Sequence, residues 1–160
     1  NDIIRFARDE YKLLLGERTA EDIKIAIGSA HELDQRMETV MRGRDLATGL
    51  PKEITVDDSE IRRAMRHSVS TIVSAIKETV EATPPELVAD IMAHGMVLVG
   101  GGALLRGLDQ LIQTEAKVKV KVADDPMTAV VRGTGIILED IDTLRNVLVT
   151  EEYQRAPKLL

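Results

Sequence analysis

The sequence predicts an α/β fold that contains a β–α–β unit. Three observations carry this reading. Apolar residues recur at helical spacing, most clearly at Ile61, Met65, Val69, Ile72, Ile76 and Val80. A short apolar run, Met96 to Val99, leads straight into Gly100-Gly101-Gly102. Val118, Val120 and Val122 then alternate with Lys119 and Lys121, the period of a strand with one wet face. Strand, glycine turn, helix and strand in that order predict two parallel strands joined by a right-handed crossover.

The other elements follow in order. Residues 2–15 put Ile3, Ile4, Phe6, Ala7, Tyr11, Leu14 and Leu15 near one side of a helix, closed by Gly16. A second helix opens at Thr19, a capping hydroxyl with Asp22 three positions on, and stops at Gly28. Ser29 to Gln35 is a polar loop. Residues 37–42 and 52–56 alternate as two strands of a small ribbon, with a turn at 47–51. Asp58 or Ser59 starts the longest helix. Thr83-Pro84-Pro85-Glu86 signals another, with Thr83 as cap and Pro84 at the first helical position, ending at His94-Gly95. Met96 to Val99 reads as a buried strand, and the glycines lead into a helix through Leu104, Leu108, Leu111 and Ile112. Asp125-Pro126 opens a last helix through Ala129, Val130, Ile137 and Leu138, and the charged tail from Thr150 is read as loose.

Composition removes several functions. The formal net charge is −6, against the basic surface a general nucleic-acid binder needs. Phe6, Tyr11 and Tyr153 are the only aromatic residues, too few for a base-stacking platform. There is no cysteine, so disulfides, zinc-thiolate sites and thiol nucleophiles are out. No apolar run approaches the ~20 residues of a bilayer span. The chain starts at Asn1 with a helical pattern already running and no signal peptide before it, so it reads as a piece of something longer.

The glycine turn is the foremost candidate site. Gly100, Gly101 and Gly102 leave no side chain between the backbone and a flat ligand, and the helix expected after them would offer amides to an anion. A dinucleotide fingerprint would need glycine at 105, where Leu105 stands, and a Walker loop would need Lys at 108, where Leu108 stands. A base or sugar suits this turn better than a triphosphate. Glu21 and Lys24, one helical turn apart, could meet a ribose hydroxyl and cover a purine ring, but their spacing alone reads as an exposed ion pair. His31, His67 and His94 lack metal-ligand spacing, and no serine sits in a nucleophile elbow, so catalytic and metal-binding residues are not expected. Lys117, Lys119 and Lys121 read as protection for an edge strand, and the methionines as core filling.

At the glycine turn the chain becomes recognisable. Gly95-Met96-Val97-Leu98-Val99-Gly100-Gly101-Gly102-Ala103-Leu104-Leu105-Arg106-Gly107-Leu108-Asp109 resembles the adenosine motif of the MreB family of bacterial actin homologues. So do Gly16-Glu17-Arg18-Thr19-Ala20-Glu21, Asp45-Leu46-Ala47-Thr48-Gly49-Leu50-Pro51, Thr83-Pro84-Pro85-Glu86-Leu87 and Asp125-Pro126-Met127-Thr128-Ala129-Val130. The five segments occur in the family's order and span nearly the whole chain. Val99 departs from the family's usual Thr before the glycines.

The resemblance implies the C-terminal half of an actin-like ATPase fold, in the superfamily of actin, sugar kinases and heat-shock chaperones. Residues 1–58 would form a small outer lobe, 59–149 an inner lobe and 150–160 a flexible tail. Gly100, Gly101, Gly102 and Ala103 would face the base and sugar of ATP or ADP, and Glu21 and Lys24 the ribose and adenine. Phosphate loops, Mg2+ ligands and the water-activating acid would lie upstream of Asn1, so the isolated chain is expected to be inactive. The family polymerises with ATP into filaments on the cytoplasmic face of the inner membrane, which organise wall synthesis and rod shape. Expected partners are further copies of itself, RodZ-like shape proteins and, through the other half, the membrane, with no nucleic acid. The alternatives are a sugar-kinase or chaperone-type half of the same superfamily, or a binding-only adaptor.

Overall fold

The computed structural model describes residues 1–143, so the tail from Thr150 and residues 144–149 of the expected inner lobe lie outside the described residues. Helix α1 (Asp2–Tyr11) ends earlier than its apolar pattern suggests. Lys12 takes a left-handed conformation (φ 55°), and Leu13–Leu14 become a short strand, β1. Leu13 and Leu15 are buried while Leu14 between them is exposed, so the leucine run follows the strand period. Gly43 permits this strand to dock, because a Cβ there would sit 2.4 Å from the Leu14 carbonyl oxygen.

Helix α2 (Glu17–Ile27) starts after Gly16, without the side-chain cap expected of Thr19. Strands β2 (Glu38–Asp45) and β3 (Pro51–Asp57) pair antiparallel in the register Met41↔Ile54, and β1 joins β2 to complete a sheet of order β1-β2-β3. The expected two-stranded ribbon is thus a three-stranded sheet. Asp45 accepts from the amides of Ala47 and Thr48 at 2.8 and 3.0 Å and from Lys52 at 2.9 Å, fixing the turn.

Helix α3 (Asp58–Glu81) opens with a capping box: Asp57 accepts from the Glu60 amide, and Glu60 accepts from the Asp57 amide. Its buried stripe is Ile61, Met65, Val69 and Val73, whereas Ile72, expected inside, is 48% exposed. A steady spacing of four keeps the stripe turned toward α1, α2 and α5. The core is one cluster combining Ile3 and Ala7 of α1, Leu13, Ile23, Ile27, Met41 and Val56 with this stripe and with Leu108 and Ile112.

Helix α4 (Pro85–His94) begins one residue later than expected. Pro84 takes the cap position, and the Thr83 hydroxyl donates back to the Thr79 carbonyl at 2.7 Å instead of capping. Strands β4 (Met96–Leu98) and β5 (Val120–Val122) are parallel, Met96↔Val120 and Leu98↔Val122, on either side of α5 (Leu108–Ala116), as the β–α–β reading requires. The apolar run is not buried throughout. Met96 and Leu98 pack against the core, but Val97 is 50% and Val99 48% exposed. Helix α6 (Ala129–Glu139) starts after Thr128 rather than at Asp125-Pro126. No helix among the described residues is long and apolar enough to cross a membrane.

Candidate functional site

The glycine turn is a crossover between β4 and α5 held from two sides. Gly100 has φ 81°, a conformation that favours glycine, and its amide donates to the Pro126 carbonyl at 2.6 Å. Gly101–Leu104 then form one 3₁₀ turn, closed by Ala103 to Gly100 and Leu105 to Gly102, both at 3.1 Å. Helix α5 does not start at the glycines as expected. It starts at Leu108, after an extended Leu105 and a left-handed Gly107. Ala103 is buried beneath the turn, while Gly101, Gly102 and Leu104 face outward.

Backbone geometry demands glycine at only one of the three positions. Gly101 and Gly102 have no positive φ. A Cβ at Gly102 would meet nothing within 4 Å, and one at Gly101 only the flexible end of Met127, at 3.2 Å. Open space therefore lies above Gly102, with the Met127 side chain at its border over Gly101, room for a flat group laid against the backbone.

Glu21 and Lys24 sit on the exposed side of α2, opposite buried Ala20, Ile23 and Ile27. Lys24 Nζ lies 2.7 Å from Glu21 Oε1, and the two side chains are 41% and 56% exposed respectively. Among the described residues, no hydrogen bond joins this pair to the glycine turn directly. The connection runs through Arg106. Its guanidinium donates to the carbonyls of Ile25 at 2.9 Å and Gly28 at 3.3 Å, and its own carbonyl accepts from the Ala30 amide at 2.8 Å. The segment leaving the glycine turn is thereby tied to the C-terminal end of α2. Reading by residue type gave Arg106, Pro126 and Met127 no role at the turn. Only the fold shows that they flank the turn.

The titration shifts lie elsewhere, at the joint between the sheet and α3 and at the β2–β3 turn. Its hydrogen bond to Glu60, helped by burial, pushes the Tyr11 hydroxyl up to about 12. Lys52, with the turn amides, holds Asp45 down at about 2. Burial pushes the Asp58 carboxyl up, but the Met37 amide and the Arg62 guanidinium outweigh it and keep it below the ordinary value. These groups are tied into structural hydrogen bonds rather than poised over an open site. No group of three or more His, Asp or Glu that could hold a metal ion occurs among the described residues. A concavity of about 620 Å3 also lies away from the glycines, along α3.

Comparison with known proteins finds the same features in a named setting. The family model described as MreB/Mbl protein matches residues 1–146. The cell shape-determining protein Mbl of Bacillus subtilis (strain 168) is 50% identical over 143 residues, 89% of this chain and 43% of that protein. The cell shape-determining protein MreB of Escherichia coli (strain K12) is 48% identical over 150 residues, 94% of this chain and 43% of that protein. The crystal structure of MreB5 of Spiroplasma citri bound to ADP superposes with a TM-score of 0.84 at 38% identity, covering 88% of this chain and 43% of that one. The architecture is thus part of an actin-like fold, and the chain spans less than half the length of the curated relatives it matches.

Proposed function

The chain belongs to the MreB/Mbl family, and on that premise we propose that it is the C-terminal half of a bacterial actin that binds ATP or ADP and polymerises into membrane-associated filaments directing wall synthesis and cell shape. In this reading residues 1–58 form the outer lobe and 59–149 the inner lobe. The adenosine lies between α2 and the glycine turn. Gly100, Gly101, Gly102 and Ala103 face the base and sugar, the Lys24 stem covers the ring, and Glu21 accepts from a ribose hydroxyl.

One observation carries the site: the backbone needs glycine at Gly100 alone, yet Gly101 and Gly102 also lack side chains, with open space above Gly102 and only the flexible Met127 side chain over Gly101. The MreB5 structure bound to ADP supports the ligand class. ATP supplies the energy difference between assembled and disassembled states. Gripping the triphosphate and Mg2+ falls to residues outside this chain, which contributes the adenosine end. The filament works at the cytoplasmic face of the membrane, with RodZ-like partners.

Sedimentation of the full-length protein tests this reading. ATP should move it into the pellet, and no phosphorylated sugar should form. Release of a phosphorylated sugar, with no pelleting, would favour the sugar-kinase alternative.

A further inference from the structure

Helix α3 does more than support the core. With the Ser29–Ala30 loop and α5 it lines an open groove of about 620 Å3, separate from the glycine turn and sharing no residue with it. The floor is apolar: Val69 and Val73 are buried there, with Leu111 and Ala30 beside them. The lining charges are Arg62, Arg63, Arg66 and Lys77 against the single carboxylate of Glu115, a basic stripe on a chain of net charge −6.

These cations are unequally engaged. Arg62 is bound to Asp58 at 2.9 Å and to the Ser29 hydroxyl at 3.1 Å. Lys77 pairs with Glu115 at 3.2 Å. Arg63 lies over the Phe6 ring, 5.7 Å from its centroid. Arg66 is exposed and makes no ion pair or side-chain hydrogen bond among the described residues. Beside Arg66, Ser70 and Ser74 present small hydroxyls that leave the floor accessible.

Shape decides the class of occupant. The lining runs from Ser59 to Lys77 along α3, about 27 Å at ~1.5 Å per residue. Spread over that length, the volume makes a shallow trough, which a small anion would leave mostly empty. A peptide segment lying along it matches that length and can seat one row of side chains in the trough.

We propose that this groove docks an acidic amphipathic segment of a partner protein, its apolar side chains on Val69, Val73 and Leu111 and its carboxylates at Arg63 and Arg66. Charge complementarity selects this occupant over a second copy of the acidic chain. The inference does not rest on nucleotide binding.

The test measures fluorescence anisotropy of the full-length protein with two labelled amphipathic peptides of Leu and Ala, about 18 residues long to match the groove as a helix. One carries Glu at the polar positions and the other Lys. The Glu peptide should bind, the Lys peptide should not, and affinity should fall as salt rises. Arg66→Glu and Ser70→Glu, both at exposed positions, should each weaken Glu-peptide binding by about tenfold while leaving the thermal melt unchanged. Equal binding of the two peptides, full competition by inorganic phosphate, or an affinity untouched by either folded variant would overturn the proposal. Absence of peptide binding would do so as well, including the case in which both variants abolish self-association because a second copy fills the groove.

Discussion

The Arg106 guanidinium donates to the Ile25 carbonyl at 2.9 Å, joining residues 81 positions apart in the chain. Through this bond the segment leaving the glycine turn and the helix carrying Glu21 and Lys24 hold one another in place. Arg106 is mostly solvent-exposed, so its contribution to stability is small, about 1 kcal/mol. Its larger effect is on relative position. Arg106→Ala should lower nucleotide affinity of the full-length protein several-fold with little change in melting temperature. A large drop in melting temperature with unchanged affinity would make Arg106 structural only.

Asp58 stands where β3 passes into α3. Only 5% exposed, it accepts from the Met37 amide at 3.1 Å and pairs with Arg62, which reaches on to Ser29. Asp58→Ala leaves a half-buried guanidinium and an amide without their acceptor, and should cost about 2–3 kcal/mol in chemical denaturation. A loss below half a kcal/mol by the same method would show that the network is replaceable.

Asp45 gives a pH signature. Folding lowers its pKa to about 2, so the ionised carboxylate stabilises the β2–β3 turn above its ordinary value, about pH 4. That stabilisation is lost as pH falls from there through about 2. Asp45→Asn should therefore lower the melting temperature at pH 6, with the gap to the parent closing toward pH 2. A gap that does not change with pH would rule out the ionised turn.

Tyr11 gives the opposite sign. Its hydroxyl donates to Glu60, which also caps α3, and its pKa rises to about 12. The protonated phenol is the stabilising form, so stability should be lost as pH rises from about 10 through about 12. Of the chain's two tyrosines, one should ionise late in an ultraviolet titration, and Tyr11→Phe should remove that late phase at a cost of about 1 kcal/mol. Persistence of the late phase in the variant would reassign it.

The helices and the β–α–β order were legible because they rest on periodicity, and the parallel pairing of β4 with β5 follows from that order. The misreadings share a cause: tertiary contacts chose among locally equivalent options. Leu13-Leu14-Leu15 fits a helix or a strand equally until Gly43 lets it join β2. Either Thr83 or Pro84 suits a helix start, and backbone geometry chose Pro84. Val97 looked buried because composition reports apolar character but not whether a second layer covers it. The glycines marked the candidate site from sequence alone. Arg106 did not stand out, since a single arginine after a turn carries no pattern.

The nucleotide affinity of full-length protein carrying Gly101→Val addresses the adenosine site most directly. In the fold a Cβ added there meets only the end of the flexible Met127 side chain, so the variant should melt close to the parent. A valine at that position occupies the space assigned to the base, and affinity for ADP measured by calorimetry should fall by about tenfold or more, equivalent to about 1.4 kcal/mol. Unchanged ADP affinity in the folded variant would contradict the site.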